Sequence, residues 1–101
     1  MSAFNVVRLR AKPGKSGELV AFWRDQPFED LPGLERMALV STGERDYCVV
    51  GEWSTMEALV AARPKLIASL DLFRGMLEDL GGGLGITDPV SGEAVVQRSR
   101  G

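Results

Sequence analysis

Residues 34–53 read LERMALVSTGERDYCVVGEW. Leu34–Thr42 is a strand candidate, and Tyr47–Trp53 is a second one rich in β-branched and aromatic residues. The polar residues Gly43-Glu44-Arg45-Asp46 between them supply a turn, so the segment predicts a β-hairpin. A hairpin of this kind needs partners on its edges and a cover on its apolar face, and the flanking sequence offers both.

Downstream, Ser54-Thr55-Met56-Glu57 has the S-x-x-E form of a capping box, which predicts a helix start at Ser54. Pro64 interrupts the segment that follows and fits the first turn of a new helix better than an interior position. Beyond it Leu66, Leu70, Phe73, Leu77 and Leu80 form an apolar stripe at helical spacing. Gly81-Gly82-Gly83 is expected to stop that helix, because glycine takes the left-handed conformation after a helix end without steric cost. Leu84–Thr87 reads as extended, Asp88-Pro89-Val90-Ser91-Gly92 as a turn, and Glu93–Gln97 as a last extended piece. Arg98–Gly101 reads as a frayed tail.

Upstream, Ala3–Ala11 (AFNVVRLRA) alternates as a strand does, with Asn5, Val7, Leu9 and Ala11 on one face and Phe4, Val6, Arg8 and Arg10 on the other. Lys12-Pro13-Gly14-Lys15 breaks it. Ser16 can cap a helix whose stripe is Leu19, Phe22, Trp23 and Gln26. Pro27 ends or kinks that helix, and Phe28–Gly33 connects to the hairpin.

The order is therefore β-α-β-β-α-β. It predicts one α+β domain over residues 1–101 with a ferredoxin-like architecture, a four-stranded antiparallel sheet carrying two helices on one face. The opposite face carries Phe4 and Val6 or their equivalents. A single copy cannot cover it, so a homodimer through the sheet is expected.

Composition narrows the chemistry. The chain has 101 residues, 45% hydrophobic and 26% charged, which is ordinary for a globular protein. No apolar run approaches the ~18–20 residues of a membrane helix, and the N-terminus lacks the pattern of a signal peptide. The single Cys48 excludes an internal disulfide and any cysteine-based metal site, in keeping with a cytoplasmic protein. The chain has no histidine, which removes the commonest metal ligand and the usual general base at neutral pH. No cofactor and no metal are expected. Net charge is −2 with the basic residues scattered, so no nucleic-acid partner is expected either.

Several local patterns read as structure. Gly14-Lys15-Ser16 lacks the glycine five residues earlier that a phosphate-binding loop needs, since that position is Leu9. Gly81–Gly85 follows a helix, whereas a dinucleotide loop precedes one. Asp46–Trp53 does not match the aromatic pattern of RNA-recognition strands. Cys48, beside Val49 and Val50, reads as a packed thiol. Asn5 is a polar residue on the face of Val7 and Leu9. It either bonds backbone at a strand end or points a donor into a cavity.

Three segments carry a resemblance: Val7–Lys15 (VRLRAKPGK), Leu31–Leu34 (LPGL) and Gly51–Ala58 (GEWSTMEA). In order and spacing they make the chain similar to the dimeric α/β-barrel superfamily, and within it to the antibiotic biosynthesis monooxygenase-like group. The resemblance implies two βαββαβ subunits whose sheets meet, with a pocket in each between sheet and helices. It also implies a cofactor-independent monooxygenase that oxidises a small planar phenol or quinol with O₂. In such chemistry the substrate's own carbanion gives an electron to oxygen, and the protein supplies a dry cavity and placed donors. The alternative is a non-catalytic ligand-binding or regulatory dimer with the same pocket. A haem-degrading branch of the superfamily uses an Asn, a Trp and a His. Those roles fall here on Val7, Ala62 and about Leu72, and none is kept.

Under that resemblance Asn5, sharing its face with Val7, is expected to donate toward substrate. Trp53, at the end of its strand, is expected to form a wall and offer a second donor. Arg63, just before the Pro64 interruption, is expected at the mouth, where a cation attracts an anionic phenolate. Val7 and Tyr47 are expected to line the substrate site.

Overall fold

A computed structural model describes residues 1–25 and 30–100. The chain runs β1 (Ala3–Arg10), α1 (Ser16–Asp25), β2 (Leu34–Ser41), β3 (Asp46–Trp53), α2 (Met56–Phe73) and β4 (Thr87–Glu93), with one 3₁₀ turn at Arg74–Met76 after α2. The strands form one antiparallel sheet in the order β2-β3-β1-β4. This is the expected ferredoxin-like architecture, with both helices on one side. The expected Pro27 helix stop, Gln26 of the first stripe, and Phe28 and Glu29 of the connection lie outside the described residues.

The alternation read in β1 recurs in β3, and together they sort the two faces. Along β3, Tyr47, Val49, Gly51 and Trp53 are buried on the helix side, while Asp46, Cys48, Val50 and Glu52 alternate with them. Ala3 and Leu9 on β1, and Ala11 just after it, are buried beneath the helices. The core has two parts. One gathers Leu9, Leu19, Tyr47, Val49, Phe73 and Leu77, and the other gathers Ala3, Trp53, Leu59 and Ala62.

The outer face is ordered in rows by the register. Ala38, Val50, Val6 and Val90 form one row across all four strands. Ion pairs flank it: Arg8–Asp88 at 2.8 Å, Arg10–Asp46 at 2.7 Å and Arg36–Glu52 at 3.2 Å. Cys48 lies on this face, opposite Arg8 and Val40.

Several local expectations are corrected. The first helix begins at Ser16, but the Leu19 N–H donates to the Lys15 carbonyl at 3.0 Å, so Lys15 rather than Ser16 holds the cap position. In α2 the cap is Thr55 rather than Ser54, its hydroxyl accepting from the Ala58 N–H at 3.0 Å. Pro64 does not divide α2, which continues from Met56 to Phe73. Its inner face, Leu59, Ala62, Leu66, Leu70 and Phe73, is spaced three and four residues apart without a break. Burying side chains such as Leu59 and Phe73 is worth about 1.5–3 kcal/mol each, which offsets the ~3 kcal/mol that an interior proline costs. The helix then ends at Phe73, before the glycines. Leu77 forms a bridge with Ala11, and Gly81–Gly85 belong to the loop that follows.

A further correction changes the site. Asp88–Gly92, expected as a turn, is the middle of β4, which pairs with β1 from Ala3–Glu93 to Leu9–Thr87. β4 is an edge strand, where proline is tolerated because its missing N–H costs no ladder bond. Residues 94–97, expected as extended, follow the strand's end. The Ala94 N–H donates to the Ser2 carbonyl at 2.8 Å and Gln97 donates to Glu52 at 2.8 Å.

Candidate functional site

The two parts of the core do not close on each other. Between α2 and the helix side of the sheet lies a cavity of about 610 Å³, within the usual range for small-molecule sites. Leu9, Val49 and Phe73 wall it from one part of the core and Trp53 and Leu59 from the other. Trp23 of α1, packed edge-on against Phe73 with ring centroids 5.3 Å apart, lies on the wall too.

Among the polar side chains on this wall, Asn5 is fixed by a bond across the sheet. The Trp53 indole N–H donates to Asn5 Oδ1 at 2.7 Å. An indole nitrogen can only donate, so the group facing it must be the amide oxygen. The Asn5 NH₂ group is thereby turned away from β3 with its donors uncommitted. Gly51, the register partner of Asn5 on β3, makes this arrangement fit. A Cβ there would overlap Asn5 Oδ1 and come within 3.1 Å of Trp53 Nε1. Three residues that alternate onto one face thus fix one amide in one orientation.

At the mouth, Arg63 Nη2 donates to Ser91 Oγ at 3.1 Å, tying α2 to β4. Lys65 Nζ donates to the Asp30 carbonyl at 2.8 Å, tying α2 to the segment before β2.

The structure brings Asn5, Val7, Trp53 and Arg63 to one cavity. Tyr47 faces the helix side as well, but it lies at the other end of β3 and lines a smaller hollow of about 380 Å³ with Val20, Trp23, Met37 and Leu39. The Trp53 N–H is engaged by Asn5, so Trp53 stands as a wall and an orienting group rather than a second donor toward a ligand. Ser91 was not read from the sequence as part of the site, because the turn residues around it masked the strand. Among the described residues no group of three or more His, Cys, Asp or Glu side chains could hold a metal ion, and no helix is long and apolar enough to cross a membrane.

No family model and no curated protein matches this chain. Solved structures do match it in fold. The chain is 16% identical to SnoaB, a cofactor-independent oxygenase from Streptomyces nogalater, over 95% of each chain with a TM-score of 0.72. It is 14% identical to an antibiotic biosynthesis monooxygenase-like protein from Chloroflexus aurantiacus over 100% of each chain, with a TM-score of 0.71. It is 20% identical to MhuD, a haem degrader from Mycobacterium tuberculosis with two haems bound in its active site, over 96% of this chain and 99% of that one, with a TM-score of 0.65.

Proposed function

On the shared fold of the antibiotic biosynthesis monooxygenase-like proteins, we propose that this chain is a cofactor-independent monooxygenase-like protein acting on a small planar phenol or quinol. The observation that carries the reading is the Asn5 amide, held by Trp53 with its N–H donors uncommitted on the wall of a mainly apolar cavity. An apolar enclosure favours a flat aromatic body. It also strengthens any hydrogen bond made to a substrate oxygen that becomes negative as the ring is deprotonated.

In this reading the deprotonated ring passes an electron to O₂, and Asn5 stabilises the oxygen on which charge develops. Val7, Leu9, Val49 and Phe73 exclude water, and Trp53 keeps the amide oriented. Arg63 at the mouth draws in the anionic form of the substrate. The reading includes a homodimer through the outer face of the sheet. There the row Ala38-Val50-Val6-Val90, with Val90 63% exposed, presents an apolar strip bordered by ion pairs. It also places the protein in the cytoplasm, since its one cysteine is free.

Oxygen-electrode measurements with a panel of one- to three-ring phenols and quinols test the assignment. O₂ uptake that depends on the protein and falls in Asn5→Ala is the expected result. Saturable binding without O₂ uptake would assign the cavity to a ligand-binding or regulatory dimer instead.

A further inference from the structure

We propose that Ser91, with Asn5 and Arg63, forms a three-donor cradle for one anionic oxygen, so that the cavity takes acidic planar ligands oxygen-first at its β4 side. The proposal rests on the reading of the cavity as an aromatic-ligand site and adds what that site selects.

Three observations place the cradle. Asn5 and Ser91 are register partners on β1 and β4. Side chains at such paired positions stand about 4.5–5.5 Å apart at Cβ, close enough for both to touch one ligand atom. Asn5 Oδ1 is committed to Trp53 on the β3 side, which leaves its N–H donors on the side where Ser91 stands. Ser91 Oγ accepts from Arg63 Nη2, so its own O–H remains a donor, polarised by the guanidinium it accepts from.

Charge points the same way. Among the described residues the charged side chains on the cavity wall are Arg63, Lys65 and Asp30, two cations against one acid. No ion pair among those residues engages Arg63. A guanidinium tied to a serine rather than to a carboxylate keeps its charge free for a ligand. Away from this edge the wall turns apolar, through Val7, Leu9 and Val49 to Trp23 and Phe73. A ligand with one ionised oxygen and a flat hydrocarbon body matches both ends.

A matched pair of probes tests this: 2-hydroxy-1,4-naphthoquinone, ionised at neutral pH, and its neutral methyl ether, 2-methoxy-1,4-naphthoquinone. Dissociation constants are measured by absorbance titration for the natural protein and for Ser91→Ala, Ser91→Thr and Arg63→Gln. The anion should bind about tenfold more tightly than the ether at low salt, the scale of hydrogen bonds to a charged group. That preference should shrink as salt is raised. Ser91→Ala should weaken the anion about fivefold and leave the ether unchanged, and Ser91→Thr, which keeps the hydroxyl, should restore it. Arg63→Gln should abolish most of the preference. Equal affinity for the two probes, or a preference unaltered in Ser91→Ala, overturns the cradle and leaves the aromatic cavity standing. If neither probe binds, the cradle and the aromatic-ligand reading fail together. Ser91 is exposed on an edge strand and its bond to Arg63 is open to solvent, so melting temperatures should differ little among the variants.

Discussion

The indole of Trp53 and the amide of Asn5, 48 positions apart in the chain, meet across β3 and β1 at 2.7 Å. Trp53 is 1% exposed, so its N–H would otherwise be a buried donor without a partner, at a cost of about 1–3 kcal/mol. The fold's stability and the direction of the Asn5 donors are therefore secured by the same bond.

Separating these two roles gives the first prediction. Asn5→Ala should lower turnover by roughly 10²–10³-fold, the scale seen when an anion-stabilising donor is lost. Trp53→Phe keeps a ring in the wall and removes only the N–H. It should cost about 0.5–1.5 kcal/mol of stability, the net worth of one hydrogen bond, and lower kcat by a smaller factor while KM changes little. Steady-state kinetics and urea denaturation of both variants measure this. An Asn5→Ala variant with unchanged turnover would demote the amide to a structural group.

Gly51 gives the second prediction. Its Cβ would enter space held by Asn5 Oδ1 and crowd Trp53 Nε1. Gly51→Ala should destabilise the fold by about 1–3 kcal/mol, as overpacking does. In an Asn5→Ala background the same change should cost markedly less, because the obstructing oxygen is gone. A double-mutant cycle from urea midpoints reads this coupling directly. Additive effects would show that the two groups do not compete for one space.

Haem supplies the third. Among the described residues the cavity wall carries no histidine, cysteine or tyrosine. Of the positions that the resemblance to the haem-degrading branch points to, Val7 is on the wall, Ala62 is buried and Leu72 is 70% exposed. None offers a nitrogen to iron. Titrating haem should give no saturable Soret shift. Among the described residues Met37 is the one on the wall with a thioether, so a shift that disappears in Met37→Leu would overturn the expectation and identify the ligand.

How far these features could be read from the chain depends on how local their causes are. The alternation in Ala3–Ala11 reveals that Asn5, Val7 and Leu9 share a face, and in the structure that face turns toward the helices together with Trp53. It does not reveal position along the strand's length relative to the helices. Tyr47, on the same face, consequently lines a different hollow. β4 was hidden because Asp88, Pro89, Ser91 and Gly92 each favour turns locally, while the open edge of β1 that recruits them lies some 80 positions away. Pro64 misleads for the same reason: its local cost is real, but burial of the whole inner face of α2 outweighs it. The Trp53–Asn5 bond follows from the register of β1 on β3, which no local pattern encodes.

The final prediction concerns the outer face of the sheet. Val6, Val50, Ala38 and Val90 make one row, Val90 63% exposed, and Val40, 43% exposed, stands in the next row on the same face. Arg8–Asp88 and Arg36–Glu52 border it, giving the apolar centre and charged rim typical of a protein interface. A two-fold dimer lets the same strip serve both copies. Light scattering coupled to size exclusion should give about twice the 11.0 kDa chain mass. Val50→Glu puts a charge in the middle of the row. In a single copy Val50 is only half-buried, so the chain should still fold, but two apposed carboxylates would have to be desolvated in the dimer, several kcal/mol against association. The variant should elute as a monomer with its circular dichroism preserved, and its melting temperature should lose the dependence on protein concentration that a dimer shows. A natural chain that stays at 11.0 kDa at micromolar concentration would remove the outer face from the proposal and leave the cavity, which is built within one copy, to stand on its own.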